Sequence, residues 1–199
     1  MNADQLSLFA AAPGAPEGLR YEADLVGAEE ERALIARIAG LPFRPFEFQG
    51  FVGKRRTVSF GWQYRFDGSG LAEADPLPEW LLPLRARAAA FAGLDPDALV
   101  HALLIEYEPG AALGWHRDRP VFGDVVGVSL ASGAPLRFRR RAGAGWERHT
   151  LHAAPRSAYL LRGPARSEWE HSLAPVAALR YSATFRTLRE TKVGTATPR

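Results

Sequence analysis

His116 and Asp118, in Gly114-Trp115-His116-Arg117-Asp118, stand two residues apart. On an extended segment such a pair points to one side and can grip a single metal ion. Two histidines and one carboxylate on one face of a metal leave positions open for a co-substrate and O2, the arrangement that non-haem Fe(II) oxygenation requires. The chain has no cysteine. Thiolate metal sites, disulfide scaffolds and thiol nucleophiles are therefore excluded, and any metal takes its ligands from His, Asp or Glu.

A third ligand has to come from elsewhere, and His101, His149, His152 and His171 are available. His101 falls inside an apolar run, while His149 and His152 flank an expected hairpin end; packed or solvated histidines suit such places. His171, in Trp169-Glu170-His171-Ser172-Leu173, is followed by Arg180-Tyr181-Ser182-Ala183-Thr184-Phe185-Arg186. Arg180 and Arg186 share a face if that segment is a strand, and could meet the carboxylates of a dicarboxylic co-substrate. An isolated His-x-Asp carries little information, since a structural histidine bonded to a nearby Asp is common. Joined in this order to a late His and an Arg-x5-Arg strand, it selects His171.

The elements that must position these residues are β-strands. From Leu99 onward, short runs rich in Val, Leu, Tyr and Phe alternate with turn residues. The expected strands are Leu99–Tyr107, Leu113–His116, Val125–Leu130, Leu136–Arg140, Trp146–Leu151, Ala158–Leu161, Trp169–Leu173 and Arg180–Leu188. Eight short strands in this span imply a double-sheet jelly roll, that is, a mainly β fold with flanking helices. Helices are expected at Ala28–Ala39, with acidic residues in the first turn and Gly40 beyond the end, and at Leu82–Ala92, with Pro83 early and Gly93 as the stop. Phe46 to Phe66 reads as further strands around a basic turn, either extending one sheet or covering its mouth. The expected organisation is a tail over 1–19, one domain over 20–189 and a tail over 190–199.

These residues resemble the AlkB-like Fe(II)/2-oxoglutarate dioxygenases over roughly residues 20 to 189. Three motifs carry the resemblance: Glu106-Tyr107-Glu108-Pro109-Gly110 leading to His116-Arg117-Asp118, then Trp169-Glu170-His171, then Arg180 to Arg186. The resemblance implies a double-stranded β-helix with an N-terminal extension and a nucleotide-recognition lid. It implies Fe(II) on His116, Asp118 and His171. Tyr107 and Ser182 would stand with the co-substrate 2-oxoglutarate, Arg180 on its distal carboxylate and Arg186 by its chelating end. The activity implied is oxidative removal of N-alkyl groups from bases such as 1-methyladenine and 3-methylcytosine, with formaldehyde, succinate and CO2 as products, as in DNA alkylation repair. Two departures concern the substrate: Ile105 where DNA-repair members often carry Asn, and Pro120 where they often carry an acidic residue. They keep open a dioxygenase acting on modified tRNA or protein, and a non-catalytic nucleic-acid-binding jelly roll.

A base inside a duplex is beyond reach of a buried metal, so it must be flipped or taken from a single strand. The segment from Lys54 to Phe66 resembles the family's lid: Trp62, Tyr64 and Phe66 would stack on the base, with Arg55 and Arg56 on phosphates. Arg117 and Arg119, flanking Asp118, would stand at the rim as phosphate contacts. Arg137, Arg139 and Arg141 alternate with Arg140 on an expected edge hairpin, where they read as a charged edge against sheet aggregation as readily as part of a surface for a polyanion.

Composition fits these expectations. The 199 residues are 47% hydrophobic, enough for one sizeable core. Net charge is only +3, yet 23 of the 25 basic residues are Arg, the side chain that grips phosphate bidentately. The same Arg and Ala excess would follow from a GC-rich genome. No apolar run reaches the roughly 20 residues of a membrane span, and Met1 to Leu8 lacks the pattern of a signal peptide. The expectation is a cytoplasmic protein without a membrane anchor, monomeric at this size. Gln5-Leu6-Ser7-Leu8-Phe9 resembles the peptide with which bacterial repair proteins dock on the sliding clamp, although AlkB-like proteins also begin with such segments.

Overall fold

The computed structural model describes residues 14–48, 51–65 and 70–189, with the side chains of 46–53 and 63–69 outside the description. The Gln5 to Phe9 motif and Phe66 lie outside the described residues, and so does the Tyr64 side chain.

The chain runs β1 (Leu19–Glu22), α1 (Ala28–Ala39), β2 (Arg44–Phe48), β3 (Phe51–Phe60), β4 (Trp62–Arg65), β5 (Gly70–Glu73) and α2 (Leu82–Ala92). It continues with β6 (His101–Tyr107), β7 (Leu113–His116), β8 (Phe122–Leu130), β9 (Ala134–Ala142), β10 (Gly145–Ala153), β11 (Ala158–Leu161), α3 (Gly163–Ser167), β12 (Glu170–Leu173) and β13 (Arg180–Leu188). Seven strands form one sheet in the order β1-β11-β8-β13-β6-β3-β2, four form a second as β10-β9-β12-β7, and β4 with β5 makes a separate ribbon. All the pairings are antiparallel. This is the mainly β, jelly-roll architecture that the strand spacing implies. No helix among the described residues is long and apolar enough to cross a membrane.

Strand alternation splits the seven-stranded sheet into two faces. Leu104, Val126, Val128, Leu160, Ala183 and Phe185 face α1 and α2, packing with Leu34, Ile38, Leu84, Ala88 and Phe91. Ile105, Tyr107, Val125, Tyr159 and Leu161 face inward, toward Leu136, Phe138 and Leu173 of the four-stranded sheet. Both helices occupy the expected residues. Gly93 ends α2 at φ 65°, a left-handed conformation that glycine adopts without a Cβ clash, and its N–H donates back to the Ala89 and Ala90 carbonyls. Glu31 of α1 is buried and accepts a bond from the Ala131 N–H (2.9 Å), tying the helix to the end of β8.

Two expectations are corrected. Lys54-Arg55-Arg56 is not a turn: it lies inside β3, paired in register with β6, Arg55 opposite Tyr107 and Arg56 opposite Glu106. The basic residues suit a strand here because each has a separate destination. Arg56 Nε donates to Glu106 Oε1 (2.6 Å) on the helix side, and Arg55 turns into the interior cavity. His149 and His152 are not at a hairpin end but within β10, since the hairpin turns at Gly143, with φ 54°.

Gly127 of β8 faces Tyr159 across the strand pair. A Cβ on Gly127 would come within 2.2 Å of the Tyr159 ring. Glycine is what lets the phenol lie across β8 and into the interior. Gly127→Ala is expected to destabilise the fold by roughly 1–3 kcal/mol through overpacking, a loss absent from the Gly127→Ala/Tyr159→Leu pair; denaturant midpoints of both variants check this.

Candidate metal and anion site

β13 is buried along most of its length. A strand covered on both faces ordinarily reads as a continuous apolar run, yet β13 presents Arg180, Ser182, Thr184 and Arg186 on one face, all at 6% exposure or less. Buried charge is tolerated where it is paired or where a ligand completes it. This face lines a cavity of about 150 Å³ between the two sheets, opposite His116, Asp118 and His171.

β7 and β12 are neighbours, with His171 opposite His116, and their ring centroids are 4.2 Å apart. The register slips between His116 and Leu113, so that the four residues Leu113 to His116 of β7 span the three from His171 to Leu173 of β12. Bulges of this kind re-aim side chains, and here both Leu113 and His116 line the cavity. Asp118 follows just beyond β7. One ligating atom from each of His116, Asp118 and His171 falls within 4.8 Å of the others.

The donors suit a divalent metal. Burial, then the neighbouring His116, pulls the His171 imidazole down to about 3, leaving it neutral with a lone pair available. Burial alone would raise the Asp118 carboxyl. Arg186 outweighs it and holds Asp118 ionised, well below the usual carboxylate range. Arg186 Nη2 donates to Asp118 Oδ1 (3.2 Å), whereas Asp118 Oδ2 is buried with no hydrogen-bond partner. That orphaned oxygen is what a metal ion would satisfy.

The far end of the cavity is cationic. Arg180, 2% exposed, lies over the Tyr107 ring at 5.2 Å, and its Nε has no partner. Arg55, Tyr107 and Arg180 occupy one row across β3, β6 and β13. Burial raises the Tyr107 phenol and pushes Tyr159 up to about 12, with Arg180 opposing both shifts, so both remain hydrogen-bond donors.

Placement of the other expected site residues is uneven. Ser182 lines the cavity, as do Arg55, Tyr107, Arg180 and Arg186. Arg56 does not: it pairs with Glu106 on the opposite face of the sheet, because residues adjacent on a strand point opposite ways. Trp62 is half-buried in β4 and is not among the lining residues. Arg117 is exposed and donates to the Ser167 carbonyl (3.2 Å); Arg119 lies nearby, also outside the lining.

Several contributors carry no local sequence signal. Tyr159 reads as one more strand aromatic. Arg166, from the short α3, donates to the carbonyls of Arg119 (2.7 Å), Phe122 (2.8 Å) and Gly123 (2.9 Å), fastening the loop that follows Asp118. His101, expected only as a packed histidine, stacks on Phe122 and accepts at Nδ1 from Arg186 Nη1 (3.3 Å). Asp118, Arg186 and His101 thus form one buried chain.

A jelly-roll interior with two histidines and a carboxylate at one end and an uncompensated guanidinium at the other defines a non-haem metal oxygenase that takes an anionic co-substrate. Residues 36–190 match the 2OG-Fe(II) oxygenase superfamily, and the chain belongs to it, on the AlkB-like side. It is an oxygenase that uses Fe(II), 2-oxoglutarate and O2.

Among similar proteins, the tRNA (carboxymethyluridine(34)-5-O)-methyltransferase alkbh8 of Xenopus tropicalis is 26% identical over 171 residues, covering 82% of this chain and 26% of that protein. An Arabidopsis thaliana protein, "Alkylated DNA repair protein ALKBH8 homolog", is 26% identical over 180 residues, covering 77% of this chain and 50% of its own length. The chain therefore spans between a quarter and a half of these relatives. Of solved structures, OsALKBH1 superposes with a TM-score of 0.71 at 14% identity, over 90% of this chain and 99% of its own. A Pseudomonas putida prolyl-4-hydroxylase gives 0.57 at 18%, over 87% and 94%. These two likenesses concern the fold.

The buried His101 generates a pH dependence. Burial, then Arg186, holds its folded-state pKa well below the ordinary 6.5. Below about pH 6.5 the unfolded chain takes up a proton that the folded chain refuses, so stability falls as pH drops. His101→Gln, which keeps an acceptor but does not titrate, is expected to flatten that fall by up to about 1.4 kcal/mol per pH unit, read from denaturant midpoints across about pH 7.5 to 5.5.

Proposed function

We propose that this chain removes N-alkyl groups from nucleic-acid bases of the 1-methyladenine and 3-methylcytosine type, in DNA or RNA. The observation that carries the reading is one cavity joining an open His-Asp-His donor set to Arg180, a buried cation with no carboxylate partner among the described residues. The relatives' names, one for a tRNA nucleoside and one for alkylated DNA, support a nucleic-acid substrate. The catalytic unit is taken as residues 20–189.

In this reading His116, Asp118 and His171 hold Fe(II), which when bound supplies the activation of O2. Arg180 and Tyr107 grip the distal carboxylate of 2-oxoglutarate, Ser182 adds a hydroxyl, and Arg186 steadies Asp118 while facing the chelating end. Fixing both ends of the co-substrate orients its keto acid without further reorganisation. With Fe(II) held there, the site would supply a coupled oxidation in which one atom of O2 ends in succinate, with CO2 released, and the other ends as a hydroxyl on the alkyl carbon. The N-hydroxymethyl group that would result loses its hydroxyl proton as the C=O of formaldehyde forms, and the electron pair of the broken C–N bond returns to the base nitrogen. Leu103, Ile105, Val125 and Leu136 line the cavity with apolar surface and keep water from the reacting carbon.

A second reading, oxidation of a modified tRNA nucleotide, is favoured by Ile105, which puts an aliphatic side chain on the cavity wall, and by the tRNA-directed name of one relative.

Incubation with Fe(II), ascorbate, 2-oxoglutarate and oligonucleotides carrying 1-methyladenine or 3-methylcytosine should give succinate together with the loss of one methyl mass. Succinate without base change on any such oligonucleotide, but with mass change in tRNA, would replace the first reading by the second. Arg180→Gln is expected to raise the KM for 2-oxoglutarate about ten- to a hundredfold, as for loss of a charged hydrogen bond, with Fe(II) affinity little changed.

A further inference from the structure

The outward face of the four-stranded sheet carries an ordered row of cations that the cavity does not use. Alternation along β9 sends Leu136 and Phe138 into the interior and Arg137, Arg139 and Arg141 to the outside. Trp115 of β7 and Trp146 of β10 stand on the same outer face. The guanidinium of Arg137 lies over the Trp115 ring at 5.3 Å and that of Arg139 at 4.4 Å. Arg139 and Arg141 each lie over Trp146 at 4.3 Å. Arg139 is thus held between two indoles.

Arg148 faces Arg139 directly across the β9–β10 pair. Among the described residues of this face, four arginines meet one carboxylate, Glu170, which pairs with Arg139 at 2.7 Å. Like charges directly opposite destabilise a strand pair, so stability does not account for Arg148 opposite Arg139. Protection of a sheet edge does not account for the row either. The edge strands are β10 and β7, whereas Arg137, Arg139 and Arg141 sit on β9, inside the sheet.

We propose that this arginine and tryptophan comb is a docking surface for the phosphates of a single nucleic-acid strand, anchoring the polymer outside the cavity. Alternate residues of a strand are about 6.7 Å apart, close to the separation of successive phosphates along a nucleic-acid chain. A guanidinium stacked on an indole is held in place; Nε of Arg139 donates to Glu170 (2.7 Å) and Nε of Arg137 to Ser172 (3.1 Å), so phosphates would be met by their Nη groups and by Arg141 and Arg148. β7 joins the two surfaces: Trp115 belongs to the comb and the adjacent His116 to the cavity. The proposal rests on the nucleic-acid reading above and deepens it, assigning polymer affinity to the outer face and base chemistry to the interior.

The test is equilibrium binding of the full chain to a labelled single-stranded oligonucleotide as a function of salt, for the wild type and for Arg137→Gln/Arg139→Gln/Arg141→Gln. The comb predicts weaker binding and a log–log salt slope shallower by about 2, from loss of three phosphate contacts at about 0.7 each. Substrate-free conversion of 2-oxoglutarate to succinate should stay unchanged. The exposed single variants Arg141→Glu and Arg148→Glu, which leave Arg137 and Arg139 on their indoles, should each weaken binding and keep the design decisive if the triple variant does not fold. Wild-type affinity and slope in these variants would overturn the proposal, as would comb-dependent binding to phosphatidylserine vesicles but none to oligonucleotides. Comb-dependent oligonucleotide binding by a protein that demethylates no base would leave the comb standing and remove only the demethylation reading.

Discussion

Two guanidiniums buried on one face of β13 are the constraint around which this fold is arranged. Arg180 and Arg186 lie in a protein interior at 2% and 6% exposure, where an uncompensated charge is strongly unfavourable. Arg186 meets Asp118 and, through its other nitrogen, a neutral His101. Arg180 meets the face of Tyr107 and no carboxylate among the described residues. One end of the cavity therefore has its negative charge supplied by the protein, and the other is left for a ligand to complete. Under the proposed function that asymmetry would set the direction in which a dicarboxylate enters, its far carboxylate toward Arg180 and its other end toward the donor set.

The donor set depends on the same arrangement. Asp118 is useful to a metal only as a carboxylate, and Arg186 keeps it so against the effect of burial. His171 is useful only as a neutral base, and burial keeps it so. Burial leaves His171 neutral and Arg186 keeps Asp118 ionised, and these are the protonation states that metal binding requires. Geometry comes from the bulge between β7 and β12, and the loop after Asp118 is fastened by Arg166 through three carbonyls.

The four-stranded sheet is polar in opposite ways on its two faces. Inside, it supplies His116 and His171 among apolar neighbours; outside, it carries arginines stacked on tryptophans. Strand period alone separates these tasks, since successive residues point apart. Arg139 and Phe138 are adjacent in sequence and belong to different chemistries for that reason. The same rule divides Arg55, in the cavity, from Arg56, on the helix side with Glu106.

Residue type and spacing alone were enough to single out His116, Asp118, His171 and Arg180 and to mark the jelly roll, because strand period, turn residues and helix caps are local properties carried by neighbouring side chains. Both helices and three of the strands, β7, β11 and β13, occupy the residues that local pattern assigned to them. Tertiary structure alone decided the rest. It placed Lys54 to Arg56 within a strand rather than a turn, since the partner that makes room for Arg56, Glu106, lies fifty residues away. It drew Tyr159 into the cavity over Gly127, and His101 behind Arg186, through contacts between strands that no local pattern encodes. Pairing register is a long-range choice set by which faces can be buried together, and it is register that turns scattered histidines and arginines into one site.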